Sequence, residues 1–395
     1  MTVDISVNIS GLTFKNPIIV ASGSRTASAK HILKCFENGA AGAVTKTMTF
    51  DVMQQVQPKP RMHVVNPEDA LRGRFYSLYS IELMSEHSPE KWVKEIGEIK
   101  GAVKRNGGIL IASIAGRNFE EWEKLARLVE DAGADMIEIN LSCPHIEEGA
   151  LMGRAASSNL NVVSQVVRII KNAASLPVIG KLTPHGANPI NLAKTMFSSG
   201  ADAVVSTARF QGLIIDVGSM KPILWGGYGG YGGPWQLPIS LGWTAHIARE
   251  NVGKPIIGSG GISGWEDIAR FLLVGASAVQ ICTAIIIGGY GIIPKILKGF
   301  TGWMEAKGFQ RINEFIGLSL KDIIPLENLE RRRIYAVSVD LDKCTGCGVC
   351  ELVCPYEAIS LDDRGKAVIG LECGNCGLCA SICPFRALSL KVRAS

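Results

Sequence analysis

Charge is scarce in this chain: 19 % of its 395 residues are Asp, Glu, Lys or Arg, while 47 % are hydrophobic. That balance excludes a disordered chain and predicts a large buried core. The formal net charge is only +5, and no basic run exceeds Arg331-Arg332-Arg333, so nucleic-acid binding lacks an electrostatic footprint. The run itself reads as a solvated face or a docking edge. No GxGxxG follows a strand to open a helix, which excludes a dinucleotide-binding fold. The first residues, MTVDISVNISGL, are acidic and polar where a secretory leader needs an apolar core. Residues 272–294 contain no charge, but they include glycines, Gln280 and Thr283. A buried strand followed by a flexible loop is expected there, not a membrane span. Histidine is rare, and His63, His87 and His246 have no partner at metal-ligand spacing.

Cysteine is abundant, and it is concentrated. Eight of the eleven cysteines lie in the last 52 residues. Cys344, Cys347 and Cys350 are followed by Cys354-Pro355, and Cys373, Cys376 and Cys379 by Cys383-Pro384. Each copy reads C-x2-C-x2-C-x3-C-P, in which three thiolates hold one 4Fe–4S cluster and the fourth ligates the other. One cluster therefore takes Cys344, Cys347, Cys350 and Cys383, and the other takes Cys373, Cys376, Cys379 and Cys354. Zinc needs no doubled eight-cysteine repeat, and disulfides do not explain the crossed symmetry. Oxygen-sensitive clusters and the remaining thiols Cys35, Cys143 and Cys282 imply a reducing cytoplasm.

Upstream, one phrase recurs: AGADMIEIN at 132–140, SGADAVVST at 199–207, VGASAVQIC at 274–282 and, more loosely, NGAAGAVTK at 38–46. Glycine ends an amphipathic helix such as WEKLARLVEDA, and a short β-branched strand follows. Eight such strands are predicted: 18–21, 43–46, 110–114, 136–141, 178–181, 203–206, 255–258 and 278–282. The α/β pattern gives a (β/α)8 TIM barrel over residues 1–300. A helical connector (301–337) and a C-terminal two-cluster ferredoxin-like domain (338–395) complete the predicted organisation.

Barrel active sites lie at the carboxyl ends of the strands. Those ends carry Ala21-Ser22, Lys46, Asn140 with Cys143, Lys181, Thr207, Gly260-Gly261 and Thr283. Cys143, in INLSCPH, reads as an acid/base or as a small core thiol. Lys46 and Lys181 each end an apolar strand, where a buried ammonium needs an anionic partner, a reduced flavin ring being one. GSGGISG after the seventh strand reads as a phosphate cradle. Cys35 falls on a predicted helix as a core residue, and His185 reads as a turn cap.

ASGSRTAS, AVTKT, IASI, EINLSCPH, KLTP, GSGGI and QICTAI stand in the order of the motifs of the FMN-binding barrel shared by dihydroorotate and dihydropyrimidine dehydrogenases. With the cysteine tail, essentially the whole chain resembles the catalytic subunits of dihydropyrimidine dehydrogenases. The resemblance implies FMN contacts from Ala21, Ser22, Lys46, Asn140, Lys181 and Thr207. It places the phosphate at Gly232, Gly233, Gly260, Gly261, Cys282 and Thr283. Cys143 becomes the proton donor or acceptor opposite the flavin, and Asn140, Ser142 and Glu82 line the substrate. Two positions depart from the family pattern: Ser80 replaces a ring-reading asparagine, and Ala208-Arg209 replaces an Asn-Thr pair. Arg209 therefore points to an anionic or CoA-linked substrate, unless it pairs internally with Glu82. The loop 225–235, WGGYGGYGGPW, reads equally as a lid or as a surface loop.

The activity implied is oxidoreduction of a C–C bond beside a carbonyl, a CH–CH oxidoreductase whose electrons pass through two clusters. A separate NAD(P)H–flavin subunit or a ferredoxin is the implied electron partner, and an oligomer is expected. The alternatives are a dihydropyrimidine or dihydroorotate dehydrogenase proper, or an electron-transfer module whose barrel only docks a partner. Anaerobically purified protein should contain about eight irons with matching acid-labile sulfide, and stoichiometric zinc with little sulfide contradicts the cluster assignment. Cys143→Ala should keep FMN and both clusters yet lose turnover by roughly 10²–10⁴-fold. Wild-type turnover in that variant makes Cys143 a core thiol.

Overall fold

A computed structural model describes residues 3–73, 75–141, 156–250, 253–331 and 335–392. Packing divides the chain between Asp322 and Ile323.

The first unit is a closed barrel of eight parallel strands. They are β1 (Ile18–Val20), β2 (Gly42–Val44), β3 (Ile109–Ile114), β4 (Met136–Asn140), β5 (Val178–Lys181), β6 (Ala203–Val205), β7 (Ile256–Ser259) and β8 (Ala278–Ile281). Each pairs with the next, and β8 closes onto β1 through Val279↔Ile18. All eight lie within two residues of the ends read from the sequence. Nearly every strand residue is buried, because the barrel interior covers one face and helices the other. The helices Phe119–Ala132 and Trp265–Leu273 present apolar stripes inward, and the first ends at Gly133 in the left-handed conformation. An N-terminal hairpin, Val7–Ile9 with Leu12–Phe14, plugs the barrel floor. Its Phe14 is fully buried, and the Ser10 hydroxyl donates to the Asp202 carbonyl just ahead of β6.

Two expectations need revision. The charge-free stretch after β8 is helix, Thr283–Gly288 and then Ile292–Lys307, and not flexible loop. Residues 301–322 also pack with the barrel: Met304, Ile312 and Phe315 belong to its core. Their apolar side chains bury themselves on the nearest large apolar surface. Among the described residues no helix is long and apolar enough to cross a membrane.

A four-stranded antiparallel sheet is built from loops that leave the carboxyl ends of β2 and β6. Its order is Phe210–Gly212, Gly229–Gly232, Ser77–Ser80 and Met62–Val65. Four residues of the glycine–aromatic loop, Gly229–Gly232, are thus a strand inside a sheet. Its aromatics are anchored: Tyr231 stacks on Trp235 at 5.2 Å, and Phe210 packs on Trp235 at 5.4 Å. His185 accepts the Gln211 N–H at 2.6 Å, so it pins this sheet.

The second unit shows the cysteine repeat as an internal two-fold. Strand Tyr335–Val339 pairs with Leu388–Val392, and Ile359–Leu361 pairs with Ala367–Ile369. The short helices Val349–Leu352 and Leu378–Ile382 each carry the third cysteine of a triplet. Four residues after each Cys-Pro cysteine an alanine N–H points back at its sulfur: Ala358 to Cys354 at 3.4 Å and Ala387 to Cys383 at 3.3 Å. Glu357 and Arg386 take the same positive φ, near 50°, to make that turn. Arg331 is exposed and donates to the Leu326 carbonyl; Arg332 and Arg333 lie outside the described residues.

Candidate active site

The carboxyl ends of the strands open into a cavity with about 750 Å³ of empty space, its solvent-facing part included. Ala21, Ser22, Lys46, Asn140, Lys181, Glu82, Ala208, Arg209 and Cys282 all line it, so nine residues chosen from the sequence converge on one place. A second cavity of about 430 Å³ adjoins it, sharing Ala208, Arg209, Ser259 and Cys282. Gly233, Gly260, Gly261 and Thr283 line this second space.

Lys46, just beyond β2, is buried and pairs with Glu82 at 3.1 Å. Removing two ions from water costs several kcal/mol each, and only close pairing offsets it. Glu82 therefore belongs to Lys46, and the internal Arg209–Glu82 pair anticipated as one possibility is not formed. Lys181, the last residue of β5, lies 3.3 Å from Glu138 Oε1 and donates to Gln280 Oε1 at 2.8 Å. Gln280 in turn donates from Nε2 to Glu138 Oε2 at 2.5 Å. Glu138 is fully buried and Gln280 nearly so.

The sequence reading missed Glu138 as a site residue and took Gln280 only as a sign of polarity. A signal was present in MIEIN, where Glu138 shares the face of Asn140 two residues on, inside an otherwise apolar strand. Asn140 donates from Nδ2 to Thr47 Oγ1 at 2.9 Å, and Thr47 bonds Ser113 at 2.9 Å. This chain of short polar groups fixes the amide at the rim.

Arg209 donates to the Ser80 hydroxyl, and its guanidinium lies flat on Gly230. A Cβ at residue 230 would stand 2.5 Å from Arg209 Cζ, so glycine there makes room for the guanidinium in this position. Among the described residues no carboxylate pairs with Arg209. Burial pushes the Cys282 thiol up, with Arg209 pulling it back and Glu82 adding to the rise, so Cys282 is a neutral thiol. Cys35 is buried on its helix with its thiol pushed up to about 12, which makes it inert.

Thr207 is buried with its hydroxyl on the Ala208 carbonyl, and Gly232 ends the strand Gly229–Gly232; neither lines these two cavities. Ser142 and Cys143 lie outside the described residues.

The second cavity fits a phosphate. Gly260 and Gly261 have φ of 95° and 87°, a conformation that suits glycine, and side chains there would collide with Gln236 and with the Leu237 backbone. The Ser240 hydroxyl beside Gly260 is fully buried and makes no hydrogen bond. A flat heterocycle joined to a phosphate suits a polar mouth beside a glycine cradle. In the second unit Cys344, Cys347, Cys350 and Cys383 together line a cavity of about 320 Å³ walled by Leu361, Phe385 and Leu388. That is the crossed ligand set read from the spacing. Among the described residues no three ligand side chains converge on a single metal ion; these four thiols surround a space instead, as a cluster requires.

A barrel with such a mouth, joined to a cysteine-lined cluster unit, defines a flavin and iron–sulfur oxidoreductase. The chain belongs to the dihydroorotate dehydrogenase family, whose profile matches residues 4–304. Profiles of 4Fe–4S binding domains match residues 337–360 and 371–386. The chain is 33 % identical over 361 residues to the NAD-dependent dihydropyrimidine dehydrogenase subunit PreA of Escherichia coli (strain K12), covering 90 % of this chain and 86 % of that one. It is 35 % identical over 323 residues to the catalytic subunit of dihydroorotate dehydrogenase B (NAD(+)) of Thermococcus kodakarensis, covering 80 % and 98 %. The corresponding subunit of Pyrococcus abyssi is 33 % identical over 318 residues, covering 80 % and 99 %. The cofactors are FMN and two 4Fe–4S clusters, and the enzyme acts on CH–CH bonds.

Lys46→Met leaves Glu82 buried without a partner and should destabilise the flavin-free protein by about 3–5 kcal/mol, read from the denaturant midpoint. Adding Glu82→Leu should restore most of that loss. An additive double variant contradicts the coupling.

Proposed function

We propose that this enzyme interconverts a single and a double C–C bond beside a carbonyl in a small substrate that carries a carboxylate. The observation that supports this is Arg209. Three cations line the large cavity, and two of them, Lys46 and Lys181, already have carboxylate partners. Among the described residues Arg209 has only a hydroxyl as partner, and a guanidinium at a cavity wall favours a planar anion that it can hold by two parallel bonds. Ser80 and Gly230 fix its plane, and Asn140, held by Thr47, supplies an amide on the strand side.

Ala21, Ser22, Lys46 and Lys181 are the residues we assign to the flavin ring, with Gly233, Gly260, Gly261 and Thr283 at the phosphate. FMN, when bound, exchanges two electrons with the substrate and passes them singly to the clusters, which explains why one chain carries both. Cys143 is assigned the proton at the substrate carbon.

The proposed electron partner is a separate NAD(P)H–flavin subunit, or a ferredoxin, in a reducing cytoplasm. One relative is named as a subunit of an NAD-dependent enzyme, which fits a chain with no dinucleotide motif. An oligomer is part of this proposal. Dihydroorotate remains the second reading, because it carries a carboxylate and the relatives named for it span the barrel.

The test is anaerobic reoxidation of the reduced enzyme by orotate, by a small 2-enoate and by uracil. The carboxylates should saturate and uracil should not. Arg209→Ala should raise KM for the carboxylate by about 10–100-fold, the worth of a hydrogen bond to a charged group. Gly230→Ala, which displaces the guanidinium, should act in the same direction. Efficient turnover of uracil that survives Arg209→Ala defeats the proposal.

A further inference from the structure

Glu138 has no partner role in the chemistry described so far, yet it is the most deeply buried charge at the barrel mouth. It sits on β4, Lys181 on β5 and Gln280 on β8, so the three side chains meet across the barrel lumen. Their roles are fixed by chemistry. An ammonium only donates and a carboxylate only accepts, so the Gln280 amide can stand in one orientation, Oε1 toward Lys181 and Nε2 toward Glu138. Two of the three N–H bonds of Lys181 are then directed at Glu138 and Gln280, and the third is left for the cavity that Lys181 lines.

We infer that Glu138 is a positioning residue for Lys181: it cancels the lysine's charge and, with Gln280, aims the remaining N–H at the flavin. Lys181 therefore acts on the cofactor as an oriented neutralised donor, not as a free cation. A free cation at that distance favours the reduced, electron-rich ring, and Glu138 withholds that bias. Among the described residues the other charged groups at the mouth leave this balance intact. Lys46 is neutralised by Glu82, Cys282 is a neutral thiol, and Arg209 lies on the cap side against Ser80. The effect is to keep the flavin from being trapped in its reduced state, where it could not pass electrons on to the clusters. This inference rests on the placement of the flavin ring against Lys181 proposed above.

The experiment compares intact anaerobic holoenzyme of wild type, Glu138→Gln, Lys181→Met and the double variant. Each is equilibrated with a reference redox dye, the flavin is followed by its difference spectrum, and iron and sulfide contents check the clusters. Glu138→Gln keeps the shape and removes the charge. It should retain FMN and shift the flavin–dye equilibrium by about tenfold or more toward reduced flavin, as an uncovered unit charge at contact range does. Lys181→Met, which leaves the Glu138 carboxylate uncovered, should shift it the other way, and the double variant, which carries neither charge, should return toward the wild-type equilibrium. Gln280→Met keeps the volume and both charges but cuts the bridge, and it should weaken FMN binding several-fold with a smaller shift in the equilibrium.

A shift in Lys181→Met with none in Glu138→Gln overturns the inference while leaving the flavin placement standing. No shift in either variant removes the placement and the inference together. A double variant no nearer the wild-type equilibrium than Lys181→Met shows that Glu138 does not counterbalance Lys181, and so overturns it too.

Discussion

Buried charge at one end of a barrel is the constraint from which the rest of this molecule follows. Barrel interiors are normally filled by branched apolar side chains. Here the upper layer holds Glu138, Gln280 and Lys181, and Lys46 with Glu82 stands beside it. Each ion alone costs several kcal/mol to bury. Every one of these four charges therefore has an opposite charge within 3.3 Å. Once the lysines are neutralised within the protein, they become hydrogen-bond donors of fixed direction. Among the described residues Arg209 is the cavity cation left without a carboxylate partner, which is why the proposed substrate is an anion.

The cap sheet does for Arg209 what the barrel does for the lysines. Its four strands come from two distant loops, 62–80 and 210–232, and their pairing sets Ser80 opposite Gly230. The pairing lets Ser80 accept from Arg209 while the missing Cβ of Gly230 makes room for the guanidinium. The aromatics of the same segment, Tyr231 and Trp235 with Phe210, bury the outer side of the strand and hold it down. Within this glycine-rich sequence Gly229–Gly232 is paired on both sides in the sheet, while Trp225 and Tyr228 stay exposed. The glycine turn after β7, the proposed phosphate cradle, is built the same way, with Gly260 and Gly261 packed against Gln236 and the start of helix Leu237–Glu250.

The cluster unit obeys a different economy. It is too small to hold much apolar core, and its buried set consists of cysteines with Ile359, Ala367, Ala387 and Leu388. The clusters are thus structural as well as electronic. Peptide N–H groups directed at Cys354 and Cys383 supply the kind of hydrogen bond that tunes cluster potentials. The two halves repeat the same Cys-Pro turn, and Cys383 shares a cavity with the other half's triplet, Cys344, Cys347 and Cys350.

By itself the sequence determined the elements and the cofactors. Barrel strands are short apolar runs after Gly-Ala, and cluster ligands are set by spacing along the chain; both are local signals, legible residue by residue. It also marked most of the cavity wall, because rim positions follow from strand ends. Tertiary structure alone decided which charges neutralise one another. Glu82 could have met Arg209 and instead meets Lys46; Glu138 looked like a strand residue until Gln280, 142 positions away, closed on it across the lumen. It also turned the middle of a glycine loop, Gly229–Gly232, into a strand. Ion pairing and strand pairing depend on distances between segments remote in sequence, and those distances exist only once the barrel has closed.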